Sequence, residues 1–487
     1  MSNSKHLSVL MISGDASALD SESALSRRLS NYSHLCSRLS VLIFSRTAIG
    51  ERKEDTLSVQ GVPFASPLLG LYRAITLGEK MGKPDIVTTQ DPFFLGLLGL
   101  CISRHHRVPL QIQIHTDLFS REFLRFSVGN RIRSFIARAI IPHAGGVRVV
   151  SKKIREDLIK RKIVEASRIT VTPIPLAVIS SLPQNYSKKS GFRMVTVSRL
   201  TPEKDISLAL RAFALVHTQR PDATFTIVGD GPLRQNLEDE AKRLGVSDSV
   251  SFMGNQAVVA PFYRDATVYI STSHYEGYGL SLVEAASFGL PIVSTDAGIA
   301  RELSPNTIVP WDAQKIADKL LSELPSPRIP ESCGEGVEEY AHHIVEDWEK
   351  VSRTPMTEKK GTKFWFIIKY IISGGTATAV NLSFLYIFTD VLHIWYVFSA
   401  ALAYAVAFVV SFTLQKFWTF KNGTLTRIKS QFVLYVVLGT FNMVLNSSLI
   451  YLIVESTGVH YLVAQIGIGV LIALWSLIFY RILFKNQ

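Results

Sequence analysis

Two glutamates and two glycines near the middle of the chain have the spacing expected of a loop that binds a polar ligand. Glu276 opens the sequence EGYG, and Glu284 follows after seven intervening residues. Gly277 and Gly279 let the backbone approach a ligand closely, because glycine has no Cβ atom. The helix expected beyond Gly279, with Leu280 at its start, has unpaired N–H groups there. Such a loop suits a phosphate group or a cluster of sugar hydroxyl groups.

Two cations lie in an earlier connection between a strand and a helix. Residues 194–198 are predicted as the strand, and Thr201 and Pro202 as the helix start, with a capping hydroxyl and a proline at the first helical position. Arg199 and Lys204 lie in this connection and can reach the space in front of the strand ends. Arginine can bind two phosphate oxygens at once, and lysine adds a mobile charge, which together suit a diphosphate.

The elements that position these residues have the pattern of an α/β protein. Up to about residue 354, short apolar runs alternate with helical stretches, as in open parallel sheets. Gly14 and His115 each follow a predicted strand, at the carboxyl end where doubly wound folds bind ligands. The predicted strands cover residues 7–12, 39–44, 86–88, 110–114, 146–150, 169–171, 194–198, 224–228 and 251–254, with a further strand beginning at Pro291.

The segment EGYGLSLVEAASFGLPIVSTDAG, which starts at Glu276, resembles the donor-site signature of the family-4 retaining glycosyltransferases of GT-B fold. The resemblance implies two Rossmann-like domains that face each other. Residues 1–185 would form the acceptor-side domain and residues 190–330 the nucleotide-sugar-binding domain. Residues 331–355 would form a helix that crosses back to the first domain.

The same resemblance implies a role for each candidate residue. Glu276 would lie near the donor sugar, with Glu284 on the nucleotide ribose and His115 completing the sugar site. Arg199 and Lys204 would hold the donor diphosphate. The further donor-binding candidates are Gly14, Gly254 (beside the base), Gly277, Gly279 and Leu280. The implied reaction retains the anomeric configuration and needs no metal and no cofactor, the nucleotide-sugar being a substrate.

Beyond residue 363 the composition becomes that of a membrane protein. Four apolar segments, about residues 364–388, 395–415, 431–454 and 461–484, are each close to the roughly 20 residues that span a bilayer as a helix. Lysines and arginines lie before the first segment, between the second and third, and after the fourth, which predicts that both termini and the enzyme domains are cytoplasmic. The phrase FTLQKFWTF, starting at Phe412, is similar to the signature of the GtrA-like family. Its members are four-helix membrane proteins implicated in moving polyprenyl-phosphate-linked sugars.

The membrane segments repeat internally. A shift of 65 positions aligns Asn381 with Asn446, together with several tyrosines and glycines. Amide side chains are costly in lipid, so they are expected to face the interior of the helix bundle. Asn381 and Asn446 are therefore predicted to line a groove for the polar head of a lipid-linked sugar. The alternative is that these amides only join helices.

The net charge of +12 is compatible with nucleic acid, an anionic membrane surface or phosphorylated substrates. No nucleic-acid-binding motif accompanies it, so membrane lipids and a nucleotide-sugar are the expected partners and nucleic acid is not. The predicted protein is a multi-pass glycosyltransferase of the cytoplasmic membrane with a lipid-linked acceptor. Three alternatives remain: a hydrolase using Glu276 and Glu284 as a carboxylate pair, a lipid-sugar translocase, and a transferase with a membrane segment that is only an anchor.

Overall fold

The chain forms two compact units, residues Met1–Glu358 and Lys359–Gln487. The structure is a computed structural model. The described residues are 6–45, 50–63, 73, 76–78, 81–174, 191–329, 336–355, 363–394, 396–420, 428–457 and 461–484.

The first sheet has eight described strands in the order β3-β4-β2-β1-β5-β6-β7-β8. All pairs are parallel except β3 with β4. Apart from the charged edge strand β3, the strands are largely buried, as expected when helices cover both faces of a parallel sheet. They are β1 Ser8–Ser13, β2 Arg38–Phe44, β3 Glu51–Glu54, β4 Leu57–Val62, β5 Ile86–Thr89, β6 Leu110–Ile114, β7 Gly146–Val149 and β8 Ile169–Val171.

The second sheet has five described strands, all parallel, in the order β11-β10-β9-β12-β13. The strand order reverses between β9 and β12, and in the first sheet it reverses between β1 and β5. Open α/β sheets bind ligands beyond the carboxyl ends of the strands at such reversals. The strands are β9 Arg193–Val197, β10 Thr224–Val228, β11 Val250–Phe252, β12 Val268–Ser271 and β13 Ile292–Ser294. The predicted α/β class with parallel sheets is confirmed.

Helices connect most of these strands. In chain order they are α1 Ala24–His34, α2 Phe94–His106, α3 Arg121–Phe126, α4 Val128–Ile140, α5 Lys152–Lys160, α6 Ile206–Gln219, α7 Arg234–Arg243, α8 Ala260–Asp265, α9 Leu280–Ser287, α10 Ala300–Leu303, α11 Ala313–Leu321 and α12 Val337–Ser352.

The predicted helix start at Thr201 is wrong. Pro202–Lys204 forms a short 3-10 turn, and α6 begins only at Ile206. Asp205 caps α6: it has a positive φ of 45°, and its Oδ1 accepts a hydrogen bond from the Leu208 N–H. The Thr201 hydroxyl instead donates to Glu203 Oε1, at 2.8 Å. The extra turn gives the connection after β9 the length that carries Lys204 towards β12.

Helix α12 packs on the first sheet although it follows the second in sequence. Its apolar residues, among them Tyr340, Ile344 and Trp348, join the hydrophobic core of β1 and β2. Trp348 Nε1 donates to Gln111 Oε1 at 3.0 Å, and Thr170 Oγ1 donates to Asp347 Oδ1 at 2.6 Å. The buried tryptophan and the buried carboxylate both have hydrogen-bond partners, so the helix is fixed in register on β6 and β8.

In the second unit the described helices are α13 Lys363–Tyr386, α14 Tyr396–Thr413, α15 Ile428–Thr457 and α16 Tyr461–Leu483. Helix α13 packs against α14, and α15 against α16. The starts of α13 and α15 (363 and 428) and those of α14 and α16 (396 and 461) have the 65-residue offset of the sequence repeat. No helix within the described residues is both long enough and apolar enough to span a membrane.

Candidate active site

The loops after β9 and β12 are joined by hydrogen bonds. The N–H of His274 donates to the carbonyl of Glu203 at 2.8 Å. The hydroxyl of Thr272 donates to the carbonyls of Lys204 and Asp205, at 3.0 and 2.8 Å. The two loops flank the point where the strand order reverses, so side chains from both face the same space.

Lys204 and Glu276 form an ion pair in this space. The ammonium of Lys204 contacts Oε1 of Glu276, and the two side chains are only 13% and 17% exposed. The Ser273 hydroxyl also donates to Glu276 Oε1, at 2.9 Å. Because both charges are largely removed from water, the contact holds the carboxylate and the ammonium in a defined geometry.

Arg199 has a carboxylate partner of its own. One of its terminal nitrogens lies 3.2 Å from Glu203 Oε1, and the arginine side chain is 73% exposed. Such an exposed pair contributes little to stability. Arg199 is therefore free to turn towards an anionic ligand at low cost. Nothing in the sequence pattern singled out Glu203.

Gly277 brings the second half of the unit against the first. A Cβ atom on this residue would overlap the carbonyl oxygen of His115. The glycine is thus required by close packing against His115, in addition to the ligand approach that the sequence suggested. Glycine is required at position 279 for a different reason. Its φ of 86°, at the start of α9, is in the left-handed region that favours glycine.

His115 follows β6 and is held as a neutral ring. Burial, together with repulsion from Arg148 and Arg28, lowers its pKa to about 3. Its Nε2 lies 3.3 Å from Gln113 Oε1, which also accepts a hydrogen bond from Arg148 at 2.9 Å. Because this oxygen can only accept, Nε2 of His115 carries the proton and Nδ1 is left as an acceptor.

A second contact between the two halves lies beside His115. Lys153 of α5 donates to the carbonyl of Asp296 at 2.8 Å and lies 3.5 Å from the Asp296 carboxylate. Its ammonium is also 3.9 Å from the carboxylate of buried Asp117. Burial raises the pKa of Asp117 to about 6. Lys153 thus links the loop after β6 to the loop after β13.

One cleft of about 580 Å³ collects the candidates from both halves. Its wall contains seven of the ten predicted catalytic and donor-binding residues: His115, Arg199, Lys204, Glu276, Gly277, Gly279 and Leu280. Its charged lining residues are three cations (Arg133, Arg199, Lys204) and two carboxylates (Glu203, Glu276). The cleft has the size of a small-molecule site and an excess of positive charge.

The arrangement of the two sheets has a counterpart among solved structures. Anabaena HepE in complex with UDP-glucose superposes with a TM-score of 0.50 at 20% identity, covering 72% of this chain and 99% of that one. At this identity the likeness concerns the fold alone, which is GT-B.

The sequence matches known families over both halves of the cleft. Residues 30–175 match the Glycosyl transferase 4-like domain, and residues 181–339 match Glycosyl transferases group 1. The chain carries a GT-B glycosyltransferase. Residues 369–484 match a third family, the GtrA/DPMS transmembrane domain.

Two curated relatives share parts of this glycosyltransferase. The alpha-monoglucosyldiacylglycerol synthase of Streptococcus pneumoniae is 28% identical over 247 residues, which are 46% of this chain and 55% of the relative. The phosphatidylinositol N-acetylglucosaminyltransferase gpi3 subunit of Schizosaccharomyces pombe is 31% identical over 183 residues, 36% of this chain and 40% of the relative. The chain therefore spans about half the length of the curated relatives it matches.

Three predicted residues of the glycosyltransferase lie outside the cleft wall. Gly14 is exposed beyond β1, and Gly254 lies at the end of β11, where its carbonyl accepts the N–H of Gly229 at 2.8 Å. Glu284 is half-buried in α9, and its Oε2 accepts the Tyr263 hydroxyl at 2.8 Å. Burial raises the pKa of this carboxyl. Only Glu276 of the two glutamates lines the cleft, which argues against a facing carboxylate pair of the hydrolase type.

The wall of the cleft also contains residues that the sequence patterns did not reveal. Asn130 and Arg133 of α4 line the cleft, as do Phe126 and Tyr275. The Tyr275 ring packs edge-on against Phe123 at 5.0 Å and Phe126 at 5.5 Å. This aromatic cluster joins the loop before Glu276 to α3. Helical spacing alone does not distinguish a cleft-lining residue from a surface residue.

The structure describes the side chain of one of the two predicted groove residues of the C-terminal domain. Asn381 lies in α13 and is partly buried. The side chain of Asn446 lies outside the described residues. Two other polar residues of this unit are paired: Asn442 donates to the Ser476 hydroxyl at 2.7 Å, and buried Lys416 donates to Gln431 at 2.6 Å.

Proposed function

We propose that this protein transfers a sugar from a nucleoside-diphosphate sugar to a lipid-linked acceptor, of the polyprenyl-phosphate type, with retention of the anomeric configuration. The product enters cell-surface polysaccharide or glycolipid synthesis. One observation carries the proposal: Arg199, Lys204, Glu276 and His115 share one cleft at the carboxyl ends of two facing sheets. Cations and a neutral hydrogen-bonding ring at one site suit a sugar diphosphate.

The cations act on the leaving group. When the bond between the anomeric carbon and the diphosphate oxygen breaks, its electron pair stays on the diphosphate, which gains negative charge. Arg199 and Lys204 are already in the cleft and can stabilise this charge without a metal ion. The new bond forms between the anomeric carbon and an acceptor oxygen on the face from which the diphosphate departs.

Glu276 and His115 position the donor sugar. Glu276 pairs with Lys204, and its carboxylate oxygens can accept hydrogen bonds from sugar hydroxyls. His115 stays neutral, so its Nδ1 can accept a further hydroxyl proton while Nε2 is held by Gln113. Glu284 of α9 is assigned to the nucleotide ribose, Gly254 and Gly14 to the nucleotide side, and Leu280 to the edge of the donor pocket.

The lipid acceptor is supported by the match of residues 369–484 to a transmembrane family and by a relative named for glycolipid synthesis. We assign the protein to the cytoplasmic membrane as a multi-pass protein, with its glycosyltransferase domains and both termini cytoplasmic. In this assignment the C-terminal domain passes the product across the membrane, and Asn381 and Asn446 line its groove. An anchor without transport is the competing role.

The decisive experiment incubates membranes containing the protein with a panel of radiolabelled nucleotide sugars. Label in a lipid extract, lost in the Arg199→Ala variant, is the expected result. Release of free sugar instead of labelled lipid would establish the hydrolase. For transport, the Asn381→Ala/Asn446→Ala double variant should keep lipid labelling but lose translocation in vesicles. Unchanged translocation by a folded double variant would contradict the proposed groove.

A further inference from the structure

In helix α4 the apolar side chains face solvent, whereas in most surface helices they face the protein core. Its residues towards the protein are mostly small or polar, namely buried Asn130, Ser134 and Ala137, with buried Ile140 as the large apolar residue at its end. Its residues towards solvent are apolar: Val128 is 70% exposed, Ile132 55% and Phe135 60%. Positions four and three residues apart lie on one face of a helix, so the three apolar side chains form a single stripe.

Positive charge flanks this stripe. Arg131 and Arg138 lie beside it on α4, and Arg121 and Arg125 precede it on α3; all four are exposed. Residues 121–140 contain five arginines and one acidic residue, Glu122. Among the described residues, none of these four arginines forms an ion pair with a carboxylate. An apolar stripe flanked by arginines that lack a carboxylate partner is typical of helices that lie in the interface of an anionic bilayer.

The same helix borders the cleft. Asn130 and Arg133 line the cleft from α4, and Phe126 and Ser127 line it from the turn before the helix. Any external surface that bound the apolar stripe of α4 would therefore lie next to the acceptor side of the cleft. Exposed apolar groups beside a binding cleft are uncommon unless they have a partner.

We propose that the α4 surface, defined by Val128, Arg131, Ile132, Phe135 and Arg138, docks on the anionic face of a lipid bilayer. The charge complements acidic headgroups, and the stripe is long enough for shallow insertion. Three apolar side chains are too few for a stable protein interface, which takes about 20 to 30 residues a side. The chain also matches a transmembrane family, so a bilayer is available to it.

The test places a nitroxide label on the α4 surface of the full chain in nanodiscs. Phe135→Cys is labelled in a Cys333→Ser background, and Ile132→Cys serves if the first variant folds poorly. Burial raises the pKa of Cys36 to about 12 and that of Cys101 to about 11, so both thiols stay protonated and react slowly. Collisions of the label with oxygen, which dissolves in lipid, are compared with collisions with an aqueous nickel chelate. No turnover is needed, so the result is independent of the proposed sugar transfer.

In nanodiscs of phosphatidylcholine and phosphatidylglycerol, the label should favour oxygen; in phosphatidylcholine alone, it should move towards water. A label at Lys242→Cys, on exposed α7, is the matched control and should stay aqueous in both. Arg131→Glu and Arg138→Glu should each weaken the lipid contact by roughly fivefold or more. A label on α4 that is aqueous in both lipids would overturn the proposal. So would a label shielded from both the nickel chelate and oxygen, which would indicate a protein partner.

Discussion

Lys204 and Glu276 lie 72 positions apart in the chain, yet they form an ion pair in the wall of the cleft. The pair joins the first strand of the second sheet to the strand across the topological switch. Glu276 balances the charge of Lys204 in this structure. Under the proposed function, an incoming diphosphate would compete with Glu276 for the ammonium, and the carboxylate would be released towards the sugar. Diphosphate recognition and sugar positioning would then be coupled through this one contact.

Replacing Lys204 tests that coupling. Lys204→Ala removes a cation from the leaving group and leaves Glu276 as a half-buried charge without its main partner. We expect turnover to fall by about 10² to 10³-fold, as for the loss of one preorganised charge-stabilising group. The measurement is the initial rate of lipid labelling at saturating donor. Lys315→Ala, an exposed lysine on α11, is the control and should retain the normal rate.

Replacing Arg199 should affect turnover more than stability, because Arg199 is exposed and, among the described residues, its ion-pair partner is Glu203. Arg199→Ala should lower turnover by about 10²-fold or more with little change in melting temperature. Arg199→Lys should recover only part of the rate, since lysine cannot bind two phosphate oxygens at once. A rate near that of the unmodified protein for Arg199→Ala would contradict the assignment to the diphosphate.

Because Gly277 packs closely against His115, we expect that adding one methyl group at position 277 impairs the site. In Gly277→Ala the new Cβ would overlap the His115 carbonyl, so the loop with Glu276 must move away. Displacement of positioning groups by about 1 Å can cost about 10²-fold in rate. Gly336→Ala is the matched control, because its Cβ would meet no atom within 4 Å. Equal rates for the two variants would exclude a role for this close packing.

The sequence predicted those parts of the site that follow from the positions of the strands. Periodicity located the strands, and the carboxyl ends of parallel strands share one edge, so His115, Arg199 and Glu276 could be expected together. The pairing of Lys204 with Glu276 could not, because it depends on the 3-10 turn that shifted the start of α6. Strand β3, with the sequence ERKE, lacked any apolar pattern. It is a strand through its antiparallel pairing with β4.

Asp117 predicts a stability change that depends on pH. Its pKa is about 6 in the folded protein and about 3.9 in an unfolded chain, so the folded state binds the proton more tightly. The favourable contribution of the protonated form is complete below about pH 4 and is lost as the pH rises through 6. Asp117→Asn should therefore raise the melting temperature at pH 7.5, by a stabilisation of at most about 3 kcal/mol.

At pH 4 the same variant should melt close to the unmodified protein, because Asp117 is then protonated in the folded state and about half protonated in an unfolded chain. Asp55→Asn, at an exposed aspartate, is the control and should change neither value. Thermal melting of the full chain in detergent at the two pH values measures the difference. A lower melting temperature for Asp117→Asn at pH 7.5 would mean that the attraction of Lys153 outweighs the burial of the carboxylate. The link between the loops after β6 and β13 would then be an ion pair that favours closure of the cleft.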